Sequence, residues 1–90
     1  MARSDGEEHE ATLRALLGDV LGIHAARVAA FDENSELFGA LPEFDSMAVA
    51  TLLTGLEERL GVLIEDDDVE AEDFATFGTL LAFVRRKVLA

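Results

Sequence analysis

Three sets of residues in this chain are of types that do chemistry. Ser46 stands in the run Glu43-Phe44-Asp45-Ser46-Met47, where an irregular stretch gives way to a helical pattern. His9 and His24 are the imidazoles, and positions 65–73 hold seven acids in nine residues. A serine nucleophile needs a base to take its proton and a third group to orient that base. His9 falls at the head of the first helical pattern and His24 in a loop, and no Gly-x-Ser-x-Gly turn surrounds Ser46. A small helical bundle also has little room for a substrate cleft, so hydrolysis is disfavoured. Two separated histidines are an equally poor basis for a metal site.

The acids invite a calcium reading, and their spacing argues against it. Asp66, Asp68 and Glu70 recur as in a calcium loop, but Ala71 stands where the sharp turn needs glycine. Leu37 occupies the same turn position in Asp32-Glu33-Asn34-Ser35-Glu36-Leu37. The acidic run therefore reads as a solvated face.

Two readings of Ser46 remain. Ser or Asp just before an apolar helical pattern is usually an N-cap. A helix N-terminus also presents unpaired N–H groups and the positive end of the helix dipole, which favours a phosphate. A hydroxyl there, at the end of a long loop, is well placed to be esterified by one. The chain has no cysteine, so any thiol it uses must come with a cofactor.

The elements that would position Ser46 follow from periodicity. A loose tail over residues 1–6 precedes the main domain, residues 7–90. Leu13, Leu16, Leu17, Val20 and Leu21 place a first helix at about 7–22, with a possible Ser4–Glu7 capping box and a stop at Gly22. Positions 23–45 show no sustained period and contain the turn formers Asn34, Ser35, Gly39 and Pro42. Such a long connection in a small domain tends to be functional. Val28, Phe31, Leu37, Phe38, Leu41 and Phe44 can pin it to a core. The stripe Val49, Leu52, Leu53, Leu56 and Leu60 places a second helix at about 46–60, ended by Gly61. Val69 and Phe74 can anchor a short helix in the acidic segment. Thr76 can cap a last helix at about 77–89, with Leu80, Leu81, Val84 and Val88 as its stripe. The expected fold is all-α: a small bundle of three main helices and one short one, with a long first loop.

Composition narrows the function. The 90 residues make one small domain, and 19 acids against 7 bases give a net charge of -12. That charge repels nucleic acid and anionic membrane surfaces and attracts basic partners. The opening residues are polar, no apolar signal region follows, and no apolar run approaches a membrane span. A cytoplasmic protein without membrane insertion is the expectation.

The run "EFDSMAVATLLTGLEERLGV" resembles the attachment region of acyl carrier proteins, Asp-Ser-hydrophobic followed by an amphipathic helix. The upstream "FDENSELFGALPEFDS" is similar to that family's first loop, and "EDFATFGTLLAFVRRKV" to its closing segment. The resemblance implies the acyl-carrier bundle and a 4'-phosphopantetheine arm joined to Ser46 by a phosphodiester. It further implies a carrier that is not an enzyme. A phosphopantetheinyl transferase would install the arm from coenzyme A, and Asp45 would help it recognise the site. The arm's thiol would hold an acyl or aminoacyl thioester, passed from a loading ligase to accepting enzymes with basic docking patches. Met47 stands at the family's usual leucine, and with Glu57 and Glu58 it would meet those partners. A monomer is the natural form for such a shuttle. Phe44 is bulkier than the family's usual residue there. With the Glu72-Asp73-Phe74-Ala75-Thr76 turn, it brings the chain nearer to specialised freestanding carriers, those of bacterial exosortase and exopolysaccharide clusters or D-alanyl carriers. The alternative from another class is an acidic, non-enzymatic interaction module in which Ser46 only caps its helix.

Overall fold

The computed structural model describes residues 5–89, so the Ser4 half of the expected capping box lies outside the described residues. Four α-helices are present among them: α1 (Asp5–Leu21), α2 (Ala25–Ala29), α3 (Ser46–Leu60) and α4 (Phe77–Leu89). The helix α1 begins about two residues earlier than periodicity placed it. Gly22 and Gly61 end α1 and α3 with φ values of 67° and 66°. That left-handed conformation suits residues without a Cβ.

Two details of the short elements differ from expectation. The short α-helix lies in the long loop, as α2. The acidic segment instead forms two 3-10 turns, Asp66–Asp68 and Ala71–Phe74. A five-residue helix is unstable alone, and α2 depends on its neighbours. His24 caps it, its Nδ1 accepting from the Ala26 N–H at 3.1 Å. Val28 is buried against α1. In the acidic segment each turn closes through reciprocal bonds, Asp68 with Glu65 and Asp73 with Glu70. Carboxylates spent in this way favour isolated turns over a continuous helix.

The core is formed by Leu13 and Leu17 of α1, Leu52 and Leu56 of α3, and Phe77, Leu80, Phe83 and Val84 of α4. Leu37 and Phe44 of the loop join it, and Phe31 and Leu41 pack against its edge. Phe38 does not: it remains 43% exposed.

The loop is held by polar contacts as well as apolar ones. Arg14 of α1 donates to the Val28 carbonyl at 2.7 Å and to the Phe31 carbonyl at 3.0 Å. It also pairs with Glu10 at 2.9 Å and stacks 4.4 Å above the Phe77 ring. At the head of α4 the loop supplies acceptors for otherwise unpaired amides. The Phe77 N–H donates to the Ser35 carbonyl and the Gly78 N–H to the Glu33 carbonyl. A side chain at Gly78 would begin 2.7 Å from that Glu33 oxygen, so only glycine permits the approach. Thr76 caps α4 as expected, its Oγ1 accepting from the Thr79 N–H.

Replacing Arg14 by methionine keeps an apolar stem and strands two loop carbonyls. A loss of roughly 2 kcal/mol or more is expected in urea denaturation. A change within a few tenths would mean that the loop holds itself.

Candidate functional site

The junction of loop and α3 divides labour between Asp45 and Ser46. Asp45 has extended backbone (φ -100°, ψ -175°) and is the N-cap of α3. Its Oδ1 accepts from the Ala48 N–H at 2.8 Å. Ser46 is therefore the first helical residue and not the cap. It is exposed, and its hydroxyl has no hydrogen-bond partner among the described residues. The N–H groups of Ser46 and Met47 begin the helix and have no intrahelical acceptor. An exposed, unengaged hydroxyl thus sits at the positive end of a 15-residue helix. These residues fit a phosphodiester: the hydroxyl to esterify and the amides to face it.

Apolar surface adjoins the hydroxyl. A cleft of about 200 Å3 is lined by Phe38, Ser46, Val49, Ala71 and Phe74. The loop, α3 and the second 3-10 turn each contribute to it. Phe38 and Phe74 are brought there by two backbone bonds, from the Leu37 and Phe38 N–H groups to the Ala75 and Phe74 carbonyls. Sequence patterning placed Phe38 in the core. Its role as an exposed wall beside Ser46 becomes visible only with those two bonds.

The other residues singled out by sequence lie along α3. Met47 is 79% exposed beside Ser46. Glu58 is exposed further along the helix. Glu57 is half-buried, and its Oε2 accepts from the Ile64 N–H at 2.8 Å, fixing the chain where it leaves α3. Neither histidine joins this group: His24 caps α2 and His9 lies in α1. Among the described residues no cluster of three or more His, Asp or Glu could hold a metal. Among the described residues no helix is long and apolar enough to cross a membrane.

Two carboxylates are shifted by their partners. Glu43, just ahead of the site, is held below its ordinary 4.5 by its own backbone N–H and then by the Arg27 guanidinium, 3.1 Å away. Asp68 is held below its ordinary 3.8 by the Glu65 N–H and then by the Lys87 ammonium, each at 2.9 Å. Both groups bind their protons less tightly folded than unfolded. Their stabilisation is therefore full above the ordinary values and fades as pH falls through the depressed ones. Exposure and salt keep each contribution small.

Asp45→Ala is expected to cost about 1 kcal/mol in urea denaturation, as a lost cap, and Ser46→Ala close to nothing. The reverse order would return the cap to Ser46. In acid titrations, Asp68→Asn should flatten part of the stability loss as pH falls below 3.8. An unchanged profile would mean that the Glu65 N–H and the Lys87 ammonium contribute nothing through Asp68.

Comparison with known proteins places this geometry. Residues 11–85 match the family model described as the phosphopantetheine attachment site. The solution NMR structure of a holo acyl carrier protein from Nitrosomonas europaea superposes with a TM-score of 0.80 at 39% identity, covering 93% of this chain and 99% of that one. A comparison with curated proteins gives no match. The chain belongs to the acyl carrier protein family, helical carriers that bear 4'-phosphopantetheine and are not themselves enzymes.

Proposed function

We propose that Ser46 is the attachment point and that residues 7–90 form a freestanding carrier unit. One observation carries this reading: Asp45 caps α3, which leaves the Ser46 hydroxyl exposed and unengaged at the helix head. A transferase can reach it without unfolding anything. Ser46 Oγ loses its proton and gains the phosphoryl bond, while adenosine 3',5'-bisphosphate leaves coenzyme A. The arm supplies a thiol that holds an acyl or aminoacyl group as a thioester, the role for which the chain has no cysteine of its own.

Asp45 assists recognition by fixing the direction in which α3 presents Ser46. Met47 and Glu58 form the exposed docking edge beside it, an apolar contact followed by a charge. Glu57 adds to the local negative field while its carboxylate stays on Ile64. Partners with basic patches, a loading ligase and an accepting enzyme among them, are drawn by a surface of net charge -12. The unit works as a cytoplasmic monomer.

Intact-protein mass spectrometry after incubation with coenzyme A and a broad-specificity phosphopantetheinyl transferase tests the assignment. Native protein should gain the mass of one arm and Ser46→Ala should gain none. A gain retained in Ser46→Ala would move the site to another hydroxyl. No gain on folded protein, with the transferase proven on another carrier, would favour the interaction-module reading.

A further inference from the structure

We propose that Arg27 is a positioning residue for arm transfer: through its contact with Glu43 it fixes the turn that presents Ser46. The inference rests on Ser46 bearing the arm and goes further, by naming what aligns the hydroxyl for attack on coenzyme A.

The end of the loop has few ties. Phe44 donates its N–H to the Leu41 carbonyl, a bond inside the turn itself. Among the described residues no backbone hydrogen bond joins residues 42–44 to another element. Two side chains take over that task. The Phe44 ring is 2% exposed and packs against Phe38 and Phe74, with centroids 6.0 Å apart in each case. Apolar burial is non-directional, so the ring fixes where the chain lies and not how it is turned. The Glu43 carboxylate supplies the direction. Its Oε2 accepts from the Arg27 guanidinium at 3.1 Å, across 16 residues of chain. Its Oε1 is shielded from solvent, so the group is lodged against the fold.

Arg27 can serve as a fixed point because α2 is itself fixed. Val28 beside it is 2% exposed, and the Val28 carbonyl accepts from Arg14 of α1 at 2.7 Å. A line of contacts therefore runs from α1 through Arg14, Val28 and Arg27 to Glu43. Ser46 is three residues further on. Without Arg27, a partly shielded charge has no partner, which is unfavourable. The carboxylate then turns out to water and takes the backbone of residue 43 with it. Phe44 and Asp45 follow directly, so the Ser46 hydroxyl moves off its line of attack. A half-exposed ion pair adds little to stability, so the consequence of this contact is positional.

The test measures arm transfer to the full chain, with coenzyme A and a broad-specificity phosphopantetheinyl transferase, as kcat and KM. Arg27→Met should lower kcat about tenfold, in the range that small misplacements of a reacting group cost, and leave the KM for coenzyme A unchanged. Its Ser46 and Met47 amide signals should shift, while its urea midpoint stays near native. Arg27→Lys still donates to Glu43 and should restore most of the rate. Glu43→Gln keeps an acceptor without the charge and should lose less than Arg27→Met. Adding it to Arg27→Met should cause no further loss. Arg59→Met removes the same charge from the Arg59–Asp19 pair and should transfer at the native rate. A native rate in Arg27→Met would overturn the proposal and leave the Ser46 assignment standing. So would an equal loss in Arg59→Met, a loss confined to the KM for coenzyme A, no rescue by lysine, or losses that add in the double variant. A native chain that accepts no arm would overturn both readings together.

Discussion

The Arg14 guanidinium holds the long loop to the first helix, and the placement of Ser46 depends on that hold. Twenty-odd residues without a helix of useful length cannot satisfy their own backbone groups. Arg14 takes two of the stranded carbonyls, Val28 and Phe31, and lies over the ring of Phe77. One charged group thus joins α1, α2, the loop and the head of α4. From there the chain crosses the head of α4, where its Glu33 and Ser35 carbonyls accept from the Gly78 and Phe77 N–H groups, and its Leu37 and Phe38 N–H groups then donate to the Ala75 and Phe74 carbonyls. By Phe44 it has reached the core again, and Asp45 turns it into α3. Every step that fixes the loop also fixes where the serine stands.

The same economy explains why the hydroxyl is free. Two adjacent residues can each cap a helix, and only one has the extended backbone that capping needs. Asp45 takes that conformation. A carboxylate accepts from an amide more strongly than a hydroxyl and complements the helix dipole. Ser46 is left as the first helical residue, structurally idle and chemically available. The loop aromatics then decide its surroundings. Phe44 goes inward, Phe38 stays out, and Phe74 closes the gap, so the hydroxyl looks onto a shallow apolar cleft.

The negative surface is kept compatible with folding by local pairing. Lys87 and Arg86 of α4 reach Asp68 and Asp73 in the acidic segment, and Arg59 of α3 reaches Asp19 of α1. Each exposed pair contributes little alone. With Arg14 and Arg85 on Glu10 and Arg27 on Glu43, all six Lys and Arg side chains among the described residues lie against acids. Glu58, exposed on α3, takes part in none of these pairs.

The sequence by itself determined the helices and the chemical candidate. The stripes of α1, α3 and α4 repeat every three to four residues, and that signal is local to each segment. Glycine stops at 22 and 61 and the Thr76 cap are equally local. Ser46, at a loop-to-helix junction in an acidic, cysteine-free chain, stood out without coordinates. Only the tertiary structure decided the rest, because it turns on contacts between residues far apart in the chain. The helix α2 is too short to show a period and exists through Val28 and Arg14. Phe83 lay outside the expected stripe and is fully buried because α4 is covered by α1 on one side and by the acidic segment on another. Glu57 looked like a surface charge until the returning chain brought Ile64 to it. Which of two neighbouring cap formers would cap, and which phenylalanine would stay outside, depended on how the loop docked. No local pattern of residues encodes that docking.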